Sequence, residues 1–199
     1  MNVPDRELKR LHRRACTDFA ARMRLPAWEH LLMPLAAPLN DFTVKDLLLQ
    51  VVNGNVGAAA SLSGQPAPAL LDVDIDPSEL LSENNLVIES VRTVITVVSG
   101  LDVDEGFSPA RRELLWTRVV ELTVLGYDLQ QTIMAGAGLD DLLVDRVAIV
   151  QPDVHIWPNL DPIAVDVATL PAQRVLAMQG RPAGLWVDAS DPSCSTGQC

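Results

Sequence analysis

Between Ser108 and the glycine pair Gly136 and Gly138 one helical pattern runs without a break, and an apolar stripe of that length has to be buried against other elements of the chain. Ser108 stands at a cap position, and Pro109 follows at the first helical position, where its missing N–H costs nothing. The inward stripe reads Leu115, Val119, Leu122, Leu125 and Leu129. The glycines then end the helix. An all-α protein is the expectation.

The rest of the chain supplies covering helices. Leu8, Leu11, Ala15, Phe19 and Met23 repeat at helical spacing, giving an amphipathic helix over Asp5 to Met23 that Leu25-Pro26 ends. Thr43, with Asp46 three residues on, is a variant capping box for a second helix reaching about Leu62. Gly64 to Pro77 reads as a loop crossing over the other helices, with Asp72, Asp74 and Asp76 solvated in it. Ser78 to Ser82 suits one short turn, and Asn84 to about Val98 a helix, although its valines also suit a strand. Asp140 to Val150 is a shorter helix, and Ile163 to Met178 is a closing helix despite Pro171.

No apolar run reaches the roughly 18 residues that a membrane-spanning helix needs. The charged N-terminus lacks the apolar stretch of about 7–15 residues that a signal peptide carries, so cytoplasmic residence is expected. A net charge of −11 disfavours nucleic acid. The local exception, Lys9, Arg10, Arg13 and Arg14, reads as a solvated helix face. Cys16 falls inside the first helical pattern and is expected to pack as a small hydrophobe. Phosphate-loop, dinucleotide and nucleophile-elbow motifs are all missing.

Two segments carry a more specific signal, DFTVKDLLLQVVNGN at 41–55 and RVVELTVLGYDLQQT at 118–132. Both resemble the DinB-like helical bundles that include mycothiol-dependent maleylpyruvate isomerases, whose segments typically run W-T-V-R-D-L-L-x-H-V and E-L-x-V-H-G-W-D-L-A. RRACTDFAARM near the start and RVLAMQGRPAGLW near the end follow in the family's order. The resemblance implies a four-helix bundle with one long crossover and a short C-terminal helix over residues 1–187, with a flexible tail at 188–199. It also implies a three-ligand metal site whose positions here are Gln50, Glu121 and Leu125.

That ligand set is degenerate. Leucine has no lone pair, and a glutamine carbonyl is a weak ligand for borderline transition metals. No metal is therefore expected at these positions, and no cofactor. Glu121 has two open readings: it pairs with Arg118 at the helix surface for roughly 0.2–0.5 kcal/mol, or it points inward beside Leu125, with Gln50 or Tyr127 as hydrogen-bond donor. Tyr127 and Asp128 stand where the family has W-D, and His12, His30 and His155 fall off the faces that the family uses.

The resulting expectation is a catalytically degenerate module that binds a small molecule or scaffolds a protein partner, with homodimerisation open. The alternative is an isomerase or S-transferase in which Glu121 serves as metal ligand or base in a pocket lined by Gln50, Leu125 and Tyr127, using a divalent metal or mycothiol. A further alternative rests on the tail. There Ser193, Cys194, Ser195, Thr196 and Cys199 suit a thiol pair or the core of a ribosomally made peptide, with modifying enzymes as partners.

Overall fold

Local chemistry in the sequence sets the helix ends. In the computed structural model, which describes residues 3–66, 68–71, 75–81, 85–134, 138–150, 154, 156–157, 160–165 and 169–181, Thr43 and Asp46 close the expected capping box. The Asp46 amide donates to Thr43 Oγ1 at 3.3 Å, and the Thr43 amide donates to Asp46 Oδ2 at 2.8 Å. Asn85 accepts from the Ile88 amide at 3.1 Å, and Ser108 from the Arg111 amide at 3.3 Å, so two further helices also begin on side-chain caps.

The helices are α1 (Asp5–Arg22), α2 (Val44–Leu62), α3 (Pro77–Leu81), α4 (Leu86–Gly100), α5 (Pro109–Met134), α6 (Asp141–Val150) and α7 (Pro171–Met178), with a 3₁₀ turn at Trp28–His30. Among the described residues there is no β-strand, only an isolated bridge between Pro34 and Thr43. No described helix is long and apolar enough to cross a membrane. The chain divides into two units, Met1–Val154 and His155–Cys199.

In the first unit α5 packs along α1 and against α2, α2 packs on α4, and α4 meets α1 again, so four helices form a closed ring of contacts. Both ends of the α1–α5 pair are pinned. At the start, Asp5 Oδ2 accepts from the Phe107 amide at 2.7 Å while Oδ1 pairs with Arg112 Nη2 at 2.9 Å. At the far end, Arg22 donates to Gln130 and to the Gly138 carbonyl. The two helices therefore run in the same direction. Gly126 permits their close approach, since a Cβ there would stand 3.1 Å from Arg22 Cδ.

Other ends meet in the opposite sense. Lys9, near the start of α1, donates to the Leu101 carbonyl at the end of α4 at 2.6 Å. Thr132, near the end of α5, accepts from the Ala36 amide ahead of α2 at 3.0 Å. Residues 122–129 of α5 are buried without exception, so this helix is covered on every side there and not along a single stripe.

The second unit holds α7, and here the sequence expectation needs correction. The closing helix begins at Pro171, not Ile163. Pro171 has no N–H to continue an earlier helical ladder, and its ring drives Leu170 to ψ 142, an extended conformation. Ile163 instead donates its amide to the Ala177 carbonyl at 2.8 Å. The tail at 188–199, including Ser193, Cys194, Ser195, Thr196 and Cys199, lies outside the described residues, as do Asp72, Asp74 and His155.

Replacing Asp5 by Ala removes the acceptor for a buried amide and the partner of Arg112. A loss of about 1–3 kcal/mol is expected, measured by urea unfolding followed by circular dichroism, and an unchanged midpoint would show that this pin is dispensable.

Candidate functional site

The ring of helices encloses a polar cluster centred on the Arg118 side chain of α5. Arg118 is 2% exposed, so its pair with Glu121 three residues on is not a surface pair. Its neighbours explain the burial. Leu115, Arg118, Leu122, Leu125 and Leu129 are separated by three, four, three and four residues, so Arg118 occupies a core register on the face that buries the leucines.

A buried guanidinium needs acceptors, and it finds them on two helices. Nη1 donates to Glu121 on its own helix. Nη2 donates to Asn55 Oδ1 at 2.7 Å and to the Val51 carbonyl at 3.4 Å, both on α2. Nε is buried with no hydrogen-bond partner. Space for the group comes from Gly54, where a Cβ would stand 2.7 Å from Arg118 Cζ. A glycine inside a helix costs about 1 kcal/mol relative to alanine, and here that cost admits the guanidinium.

The cluster extends to the other two helices of the ring. Asn55 Nδ2 donates to Ser90 Oγ on α4 at 3.1 Å, and the Ser90 hydroxyl donates to the Val87 carbonyl at 2.8 Å. On α1, His12 and Cys16 are completely buried, with Cys16 Sγ 3.8 Å from both ring nitrogens of His12. Burial, reinforced by the Arg118 charge, pulls the His12 imidazole down to about 4. Burial also pushes the Cys16 thiol up to about 12, against a smaller opposing pull from Arg118. At neutral pH both groups are uncharged, so a thiolate–imidazolium nucleophile is not formed. Cys16 packs as a small hydrophobe, as its place in the helical pattern implied.

The sequence-derived site residues stand around this cluster. Glu121 is at its edge, with a side chain 17% exposed, and one turn on is Leu125, fully buried. Gln50 is half-buried on α2 immediately before Val51, whose carbonyl accepts from Arg118. Tyr127 and Asp128 are buried on α5. His30 lies elsewhere, accepting from the Ala27 amide at 2.8 Å. The two readings of Glu121 merge: the pair with Arg118 forms, but the cation reaches it from inside the core.

These side chains do not fit a catalytic metal. Among the described residues no three His, Cys, Asp or Glu side chains gather where an ion could be held. The one carboxylate of the degenerate set is engaged by a guanidinium, and a fixed positive charge beside it opposes a second cation. No protein-family model, curated protein or solved structure matches the chain.

Gly54→Ala drives a methyl group into the guanidinium and is expected to cost about 1–3 kcal/mol. Arg118→Met strands Glu121 and Asn55, for a similar loss of about 1–3 kcal/mol. Because the clash needs the guanidinium, the double variant should lose less than the sum, by roughly 0.5–3 kcal/mol; strict additivity in chemical denaturation would show that the two groups do not meet. His12 supplies a pH test. Its folded value lies below the unfolded 6.5, so its stabilising contribution is complete above pH 6.5 and is lost as pH falls through about 4. The loss is roughly 3 kcal/mol, and His12→Leu should flatten stability against pH across that window relative to the parent protein.

Proposed function

We propose that this chain is a DinB-like four-helix bundle with one long crossover in which an internal guanidinium has taken over the place of the catalytic metal, leaving a small-molecule-binding or scaffold module. The observation that carries this reading is the position of Arg118. It bridges Glu121 on α5 and the α2 backbone beside Gln50, so a cation already stands between the helices that the family resemblance assigns to metal binding. The ends that meet support the crossover: α2 opposes α5, α4 opposes α1, and α1 is parallel to α5, which leaves α2 and α4 alongside each other with the connection returning over their length.

A guanidinium differs from a metal in the property that matters for catalysis. It has no vacant coordination position at which to activate a water or a thiol. Shape, and not turnover, is what such a site retains. The neutral thiol and imidazole of Cys16 and His12 supply no alternative nucleophile.

Elemental analysis after equilibration with zinc, nickel or iron and gel filtration tests the reading. The parent protein should carry no stoichiometric metal. Gln50→His with Leu125→His should gain binding, and adding Arg118→Met should strengthen it by removing the competing charge. One equivalent of metal in the parent protein, lost on Glu121→Gln, would overturn the reading in favour of a metalloenzyme.

A further inference from the structure

Arg6, Arg10 and Arg13 recur along α1 at spacings of four and three residues, which places them on one face of the helix. In a chain with 26 acidic residues, none of these three side chains has an ion-pair partner among the described residues. Several other cations of the same unit are matched: Arg14 pairs with Asp140, Arg146 with Glu7, Arg22 with Asp18 and Arg112 with Asp5. Three uncompensated guanidiniums on one stripe of an acidic protein repel one another and attract anions.

They also flank a cleft. A cavity of about 310 Å³ lies between α1 and α4, with Arg6, Arg10 and Arg13 on one wall and Ile95, Val98 and Val103 on the other. Among the described residues no acidic side chain lines it. Lys9, which shares the cleft, is occupied by the Ser99 and Leu101 carbonyls at 3.0 and 2.6 Å and so cancels the negative end of α4. His12 forms part of the floor and stays neutral, so it contributes shape and not charge. The larger cleft on the other side of Arg10 and Arg13, about 690 Å³, contains the Arg146–Glu7 pair and Arg14 with its Asp140 partner, so much of its charge is already compensated.

We infer that the α1–α4 cleft binds a small organic carboxylate with an apolar body, its head held by the Arg6–Arg10–Arg13 stripe and its body laid against Ile95, Val98 and Val103. Arginine forks match carboxylate oxygens two at a time. The volume lies at the lower end of the roughly 300–1,000 Å³ range of small-molecule sites, which suits a medium-length chain or a single ring. This inference is independent of the α2–α5 position, since metal content reports on that position and ligand binding reports on this one.

Calorimetric titration of the full chain with octanoate, 1-octanol and inorganic phosphate tests it. Octanoate should bind saturably at one site, more weakly as salt rises, while octanol and phosphate each lack one half of the recognised chemistry and should bind at least about tenfold more weakly. Arg10→Gln with Arg13→Gln should weaken octanoate by about tenfold or more. Ile95→Glu, which puts an acid in the cleft on the opposite helix, should do the same, whereas Arg24→Gln on the far side of Met23 should not. Circular dichroism of each variant confirms that the fold persists. No saturable octanoate binding, equal binding of octanol or phosphate, or indifference to the double arginine and Ile95 substitutions would each overturn the inference.

Discussion

A single fully buried positive charge organises the interior of the four-helix ring. Removing a guanidinium from water costs several kcal/mol even after the surroundings relax, and Arg118 recovers that cost only while Glu121, Asn55 and the Val51 carbonyl remain in reach. Two of those three acceptors belong to α2. The helix pair can therefore not slide by a turn without leaving the cation unmatched, and Gly54 must stay opposite it because no other residue leaves room. Leucines at 115, 122, 125 and 129 provide burial that is indifferent to small shifts, whereas the guanidinium selects one register.

Burial keeps the neighbours of this charge on α1 neutral. Removal from water holds His12 neutral, the Arg118 charge beside it acts in the same direction, and the polar character of the imidazole is confined to contact with Cys16. A thiol that cannot ionise and an imidazole that cannot charge are packing groups. Four helices thus contribute to one polar cluster that carries a single ion pair, with neutral side chains completing it: His12 and Cys16 from α1, Asn55 from α2 and Ser90 from α4.

What the sequence disclosed depended on the range of the interaction. Helix starts at Thr43 and Ser108 were readable because a cap and its partner lie three residues apart. Most of the helical class followed from periodicity, whereas residues 84–98, whose valines also suit a strand, needed the context of the other helices. Arg118 was harder: a cation three residues from an acid has the same spacing on a solvated face as in a core, and only its alternation with Leu115, Leu122, Leu125 and Leu129 distinguishes the two. Gly54 was a second signal, since a glycine flanked by asparagines in an otherwise apolar helix asks what approaches it. Pro171 carried its information openly, yet the apolar pattern from Ile163 outweighed it; the backbone obeyed the proline. The α1–α4 cleft had no local signature, because its walls are about ninety residues apart in the chain.

The contrast between the inner and outer arginines bears on what the molecule can do. Arg118 is inaccessible and already saturated by acceptors from its own chain apart from Nε, so it specifies architecture and offers nothing to a ligand from solution. Arg6, Arg10 and Arg13 are exposed and line a cleft, and among the described residues no acid pairs with them, in a chain that carries 26 acids against 15 basic residues. An acidic protein could compensate this stripe at little cost with a carboxylate on α4 where the half-buried Ile95 stands instead. Apolar residues facing uncompensated guanidiniums leave both the charge and the adjacent surface available to a single amphipathic anion. Recognition on the outside of the ring and rigidity at its centre are then separate properties, carried by the same residue type under opposite conditions of solvation.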